Sequence, residues 1–204
     1  MKIEDALKSE ILRDFLNDDY LEIDNLEQIK KTLSKNSPKS IKLEDFFKKE
    51  KYGLLKNEIR SLKYKRKYIP DKLSFSIADI GKNFKKLIDS EELRIFLGFL
   101  IGKNIKNYMI NSKMLKHKDY TLLSDEQGTI KSGCVVNFLF NDLWREEYGG
   151  YFSYISENEE VLRVLPTENS VIIVFIDQTI QGFIKYINAN SLKKKIYFVD
   201  TKIL

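Results

Sequence analysis

"GCVVNFLFNDLWREEYGGYFSYI" (133–155) decides the fold. Its first eight residues are nearly all apolar, rich in β-branched and aromatic side chains, and bounded by turn formers. That is the composition of a strand buried within a sheet. Gly149 and Gly150 supply a turn, and "GYFSYI" resumes as a second strand. The glycine pair is not a phosphate loop, because no helix opening with Lys-Ser/Thr follows it. Trp144 and Tyr151 read as packing residues at this turn. Cys134, the chain's one cysteine, sits inside the first strand, so it reads as a small core residue and disulfide stapling is excluded.

The pattern extends both ways from this stretch. "IKNYMI", "EVLRVL", "SVIIVFI", "GFIKYI" and "KKIYFV" are further short apolar or alternating runs between turn residues, with no helical periodicity between them. Seven such strands predict an antiparallel β-sandwich or barrel over residues 105–204. The region 1–104 reads differently. Ile3, Leu7, Ile11 and Phe15, with Ala6, Leu12 and Leu16 alongside, predict one amphipathic helix over 2–16, and "NLEQIKKTLSK" (25–35) predicts another. "SPKS" punctuates at 37–40, and 41–62 reads as a short extended piece followed by helix. Ser90, with acidic residues behind it, is an N-cap for a helix within 87–104. The expectation is an α+β protein, one domain in which a mainly helical N-terminal region with a short strand packs on a β core.

The chain has 204 residues, 43% of them hydrophobic, enough for one sizeable core. No run approaches a membrane span and the start is charged throughout, so a soluble cytoplasmic protein is the default expectation. Net charge is +5, with 35 basic and 30 acidic side chains mostly interleaved, which describes a solvated surface. The one dense basic stretch is "LKYKRKYIP" (62–70). Basic residues alternating with tyrosines could meet phosphates and bases, but a charged loop before Pro70 explains the stretch more cheaply, so nucleic acid is not an expected partner.

His117, the only histidine, stands two residues before Asp119. On an extended strand, residues i and i+2 point to the same side, so one metal could take both side chains. Two imidazoles and a carboxylate on one face suit non-haem Fe(II), and a chain with one histidine cannot build that set unaided. The alternative is a partly exposed loop histidine beside a solvated aspartate. Nucleophilic catalysis with His117 as base is excluded, because Cys134 is expected inside its strand.

The order of features over 105–204 resembles the 2-oxoglutarate- and Fe(II)-dependent oxygenases, in their prolyl-hydroxylase-like branch. His-x-Asp (117–119) is followed by "VVNFLFND" (135–142), Trp144, Gly149-Gly150, and "VLPTENSVIIVF" (164–175) with its proline-containing turn. The resemblance implies a double-stranded β-helix, or jelly roll, with N-terminal helices packed on it. It also implies Fe(II) held by His117, Asp119 and the residue aligned with the family's second histidine, which here is Gln181. Glutamine offers a neutral amide oxygen, a weaker donor to iron than imidazole; Asp177 and Gln178 lie close by in sequence. For 2-oxoglutarate the resemblance implies Lys193 as cation for the distal carboxylate, Lys195 at the neighbouring hydroxyl position, and Tyr108; a further family tyrosine is Phe140 here. A lysine is a point charge with less orienting power than arginine, and a "KKK" run also suits a solvated edge. The implied function is hydroxylation of a protein residue or small molecule. The alternative is a non-catalytic copy of the fold kept as a binding or scaffold module.

Overall fold

The computed structural model describes residues 1–122 and 133–203. Residues 123–132, which follow closely on the His-x-Asp pair, lie outside it. Helices α1 (Ile3–Leu7), α2 (Glu10–Phe15), α3 (Ile23–Lys35), α4 (Lys49–Ser61), α5 (Lys82–Ile88) and α6 (Glu91–Ile101) all belong to the N-terminal half. Strands β1 (Ser40–Leu43), β2 (Lys65–Ile69) and β3 (Leu73–Ala78) are interspersed among them. The C-terminal half supplies β4 (Tyr108–Leu115), β5 (Tyr120–Thr121), β6 (Gly133–Leu139), β7 (Phe152–Ser156), β8 (Glu159–Val164), β9 (Ser170–Ile176), β10 (Gln181–Ile184) and β11 (Ile196–Ile203).

The large antiparallel sheet runs β1-β9-β6-β11-β4-β3-β2, with β5 paired to β3; β10-β7-β8 forms a smaller sheet. Alternation gives the large sheet two buried faces. Val136, Phe138, Val171, Ile173 and Val199 face the helices, in one core with Leu12, Leu26, Leu55 and Phe96. Val135, Leu139, Ile172, Val174 and Phe198 face the other way, onto Phe152, Tyr154 and Ile184 of the small sheet. The layers are therefore helices, large sheet, small sheet.

Several expectations are corrected in detail. The single helix over 2–16 is two, because Ser9 turns out of the helix and accepts a hydrogen bond from the Leu12 amide at 3.4 Å, capping α2. The charged loop before Pro70 is strand β2, paired along its length with β3 and exposed at every position. The N-terminal region thus lends three strands to the sheet instead of one. Helix α5 was missed. Its start is held from outside by Glu58 on α4, whose carboxylate accepts from the amides of Asn83 (2.8 Å) and Phe84 (3.1 Å). Ser90 caps α6 as the sequence predicts, accepting from the Leu93 amide at 3.2 Å.

One side chain ties the two halves together. Asn169, before β9, sits at φ 42° and is buried. Its Oδ1 accepts from the Phe47 amide at 3.0 Å, and its Nδ2 donates to the Phe47 carbonyl at 2.9 Å. Asparagine suits both the left-handed backbone and the paired bond. Replacing it by alanine leaves two buried main-chain groups without partners, so Asn169→Ala is expected to cost about 2–4 kcal/mol. A urea-unfolding midpoint that does not move would show the clamp to be dispensable.

Candidate functional site

The segment between β4 and β5 does not stay extended. Lys118 has φ 72°, and the Asp119 amide donates to the Lys116 carbonyl at 2.9 Å, which closes a turn. The i, i+2 rule that puts His117 and Asp119 on one side holds only for extended chain. His117 is half-buried, whereas Asp119 is wholly buried. The Asp119 carboxylate is fully engaged. Arg66 donates to both oxygens (2.9 and 2.6 Å), Ser74 Oγ donates at 3.2 Å, and the Lys116 amide donates at 2.9 Å. Four donors match the four lone-pair positions of a carboxylate, and the bidentate guanidinium is the stronger kind of pair. Asp119 therefore fastens the β4–β5 turn to β2 and β3.

Gln181 is elsewhere. It opens β10 opposite Ile155 and is exposed, while Asp119 meets the far end of the same segment, its carbonyl accepting from the Ile187 amide at 3.0 Å. From Gln181 to Ile187 the chain stays paired with β7 and its preceding turn, a run of about 20 Å at strand rise. Metal–ligand bonds to nitrogen or oxygen are about 2 Å, so His117, Asp119 and Gln181 cannot share one ion. Asp177 does not substitute. Its carboxylate accepts from Thr179 Oγ1 (2.7 Å) and from the amides of Thr179 (2.8 Å) and Ile180 (3.1 Å), bonds that lower its pKa. Among the described residues, no three or more His, Cys, Asp or Glu side chains are grouped to hold a metal.

The expected 2-oxoglutarate contacts are also separated. Lys193 and Lys195 border an open surface hollow with Arg60, Asp142 and Tyr197, just before the end of β11 where Ile196 pairs with Leu115. Tyr108 pairs with Ile203 at the other end of β11, about 23 Å away at strand rise. Its hydroxyl donates to Asp89 at 2.5 Å and lowers that carboxyl's pKa, and Arg94 lies over its ring. Phe140, at the family's tyrosine position, stacks between Phe47 and Tyr52 on the helical side of the sheet. No five-carbon diacid could touch both the lysines and Tyr108.

Gly149 and Gly150 form the tight turn the sequence suggests, at φ 70° and 69°. A Cβ on Gly149 would lie 2.0 Å from the Tyr186 carbonyl oxygen, so only glycine fits. Trp144 is buried there and donates from Nε1 to the Gly149 carbonyl at 2.7 Å. Cys134 is buried in β6, and burial pushes its thiol up to about 12.

The polar groups that do converge lie between the two sheets. Lys113 on β4 and Asp200 on β11 form a buried ion pair at 2.9 Å. Asn137 on β6 stands opposite Asp200 in register, and its buried Oδ1 has no hydrogen-bond partner among the described residues. Tyr154, fully buried on β7, has its pKa raised by burial and by the nearby Asp200 charge. These residues, with Thr121 and Lys202, line a cavity of about 50 Å³. Ligand pockets ordinarily run to about 300 Å³ or more. With the expected ligands separated and this cavity too small for a diacid, the described residues do not fit Fe(II) or 2-oxoglutarate. A signal for this cluster was present, since alternation places Lys113 on the same side of its strand as Leu115, and Asp200 on the same side as Ile196 and Phe198.

The clamp on Asp119 generates a direct expectation. Arg66→Met leaves a buried carboxylate short of two of its four donors and is expected to lower stability by about 2–3 kcal/mol, whether or not divalent metal is present. An unfolding midpoint that matches the parent protein would refute the clamp.

The chain has recognisable relatives. A family model described as "Oxoglutarate and iron-dependent oxygenase degradation C-term" matches residues 7–85. Prolyl 3-hydroxylase OGFOD1 of Xenopus laevis is 25% identical over 91% of this chain and 45% of its own length. Its Mus musculus counterpart is 37% identical over 39% of this chain and 15% of its own length. The chain thus spans less than half of the curated relatives it matches. Among solved structures, a prolyl-4-hydroxylase of Pseudomonas putida superposes with a TM-score of 0.66 at 10% identity, covering 87% of this chain and 97% of that one. A Trichoplax adhaerens prolyl hydroxylase superposes equally well, at 13% identity, covering 91% and 95%. By sequence and by fold, then, this chain is similar to the 2-oxoglutarate- and iron-dependent oxygenases of prolyl-hydroxylase type.

Proposed function

We propose that this chain functions in prolyl-hydroxylase-type, 2-oxoglutarate-dependent oxygenation of a protein substrate, and that its own barrel serves that reaction by binding. Support for the first part comes from the relatives: two are named prolyl 3-hydroxylases, and the Trichoplax adhaerens enzyme is described in complex with a hypoxia inducible factor peptide fragment. A proline-containing protein segment is accordingly the substrate class. The strand order, with β9-β6-β11-β4 facing β10-β7-β8, agrees with a double-stranded β-helix.

The observation that carries the second part is the separation of Asp119 from Gln181, together with the Arg66 lock on Asp119. Fe(II) and 2-oxoglutarate supply the oxidising chemistry in enzymes of this type; on this reading both would be held outside the described residues of this chain, and no step runs through His117, Asp119, Gln181, Lys193, Lys195 or Tyr108. Among the described residues no helix is long and apolar enough to cross a membrane, and a lone buried thiol suits a reducing, cytoplasmic setting.

Two measurements test the proposal. Deleting the chain from its own cells is expected to lower hydroxyproline in cellular protein, and a His117→Ala/Gln181→Ala chain is expected to restore it. Unchanged hydroxyproline would remove the link to hydroxylation. Anaerobic titration of the purified chain with Fe(II) and 2-oxoglutarate is expected to give no visible charge-transfer band. A band that vanishes in His117→Ala would return the chemistry to this barrel.

A further inference from the structure

The space between the two sheets holds a matched pair of charges where an enclosed ligand would have to sit. Lys113 projects from β4 and Asp200 from β11, both on the inner face, with side-chain exposures of 6% and 9%. The Lys113 ammonium also lies 5.1 Å from the Phe75 ring centroid and 5.9 Å from that of Phe198. An ammonium buried among aromatic rings requires an anion, since charges out of water are tolerated only when paired. The sheet register brings that anion from the chain itself, because Asp200 lies diagonally across from Lys113, two residues along from Phe198, its direct partner. On the other flank Asn137, aligned with Asp200, offers a buried amide whose oxygen has no partner among the described residues. What remains beside these groups is about 50 Å³, room on the scale of one or two water molecules.

We infer that Asp200 is a built-in carboxylate ligand of Lys113, so that the barrel is an anion site filled from within and closed to free 2-oxoacids and dicarboxylates. The assignment rests on the barrel's interior and not on any part the chain takes in hydroxylation. Trimming Asp200 to alanine would remove the internal carboxylate, enlarge the cavity by its volume and leave the Lys113 ammonium without that anion. Such a cavity is suited to a small carboxylate supplied in solution, formate or acetate first, with succinate and 2-oxoglutarate as larger probes.

The experiment uses the full chain with chelator present and chloride-matched ionic strength. Calorimetric titration of the unaltered protein with 2-oxoglutarate and with succinate is expected to show no binding, and its melting temperature is expected to ignore formate. In Asp200→Ala, saturating formate is expected to raise the melting temperature by about 2–4 °C while chloride does not. A Lys113→Met/Asp200→Leu double variant, in which apolar side chains replace both charges, is expected to fold and to ignore every carboxylate. Should Asp200→Ala fail to fold in chloride, refolding in formate is the readout, and recovery there supports the assignment. Binding of 2-oxoglutarate by the unaltered protein would overturn it, as would a folded Asp200→Ala that formate leaves unchanged, or one that neither salt recovers.

Discussion

A sheet buried on both faces has no side on which to leave a charge in water, and the rest of this molecule follows from that constraint. The strands of the large sheet alternate between a helical core and an inner core shared with the small sheet. A charged side chain placed in the middle of the sheet must then find its counter-charge inside the protein. Lys113 and Asp200 meet that requirement with each other. At the sheet's border, Asp119 meets it with Arg66, Ser74 and the Lys116 amide. The carboxylate that sequence motifs marked as a metal ligand is thus engaged by four protein donors.

Much of the fold was legible in the sequence because burial leaves a period. All seven strands expected in the C-terminal half are present, and the helices around 25–35 and 90–101 lie where their apolar stripes put them. The failures have local causes. The break at Ser9 is a capping bond inside a continuous apolar pattern, which periodicity does not register. Strand β2 is exposed on all sides, so it carries no alternation to detect. Helix α5 is capped by Glu58 from another helix, an interaction distant in sequence.

The site was less legible because ligand sets depend on where strand ends meet. Motif order aligned His117, Asp119 and Gln181 with the family's ligands, yet Lys118 adopts a left-handed conformation and the pairing partner of Asp119 is Ile187. Neither fact leaves a mark in residue order. The resemblance itself stands, and part of its support lies where motif reading found nothing: the matching family model covers residues 7–85, which include α2, α3, α4 and the first three strands.

Strand β2 ends the eight-stranded sheet with nothing hydrogen-bonded to its outer side among the described strands. An open edge of this kind is a template on which other chains can polymerise into fibrils. Here the edge reads Lys65-Arg66-Lys67-Tyr68-Ile69 and stops at Pro70. Clustered positive charge repels a second copy of the same edge, and proline cannot donate to a ladder. The basic stretch 62–70 thus has the composition that blunts an open sheet edge against pairing with another copy.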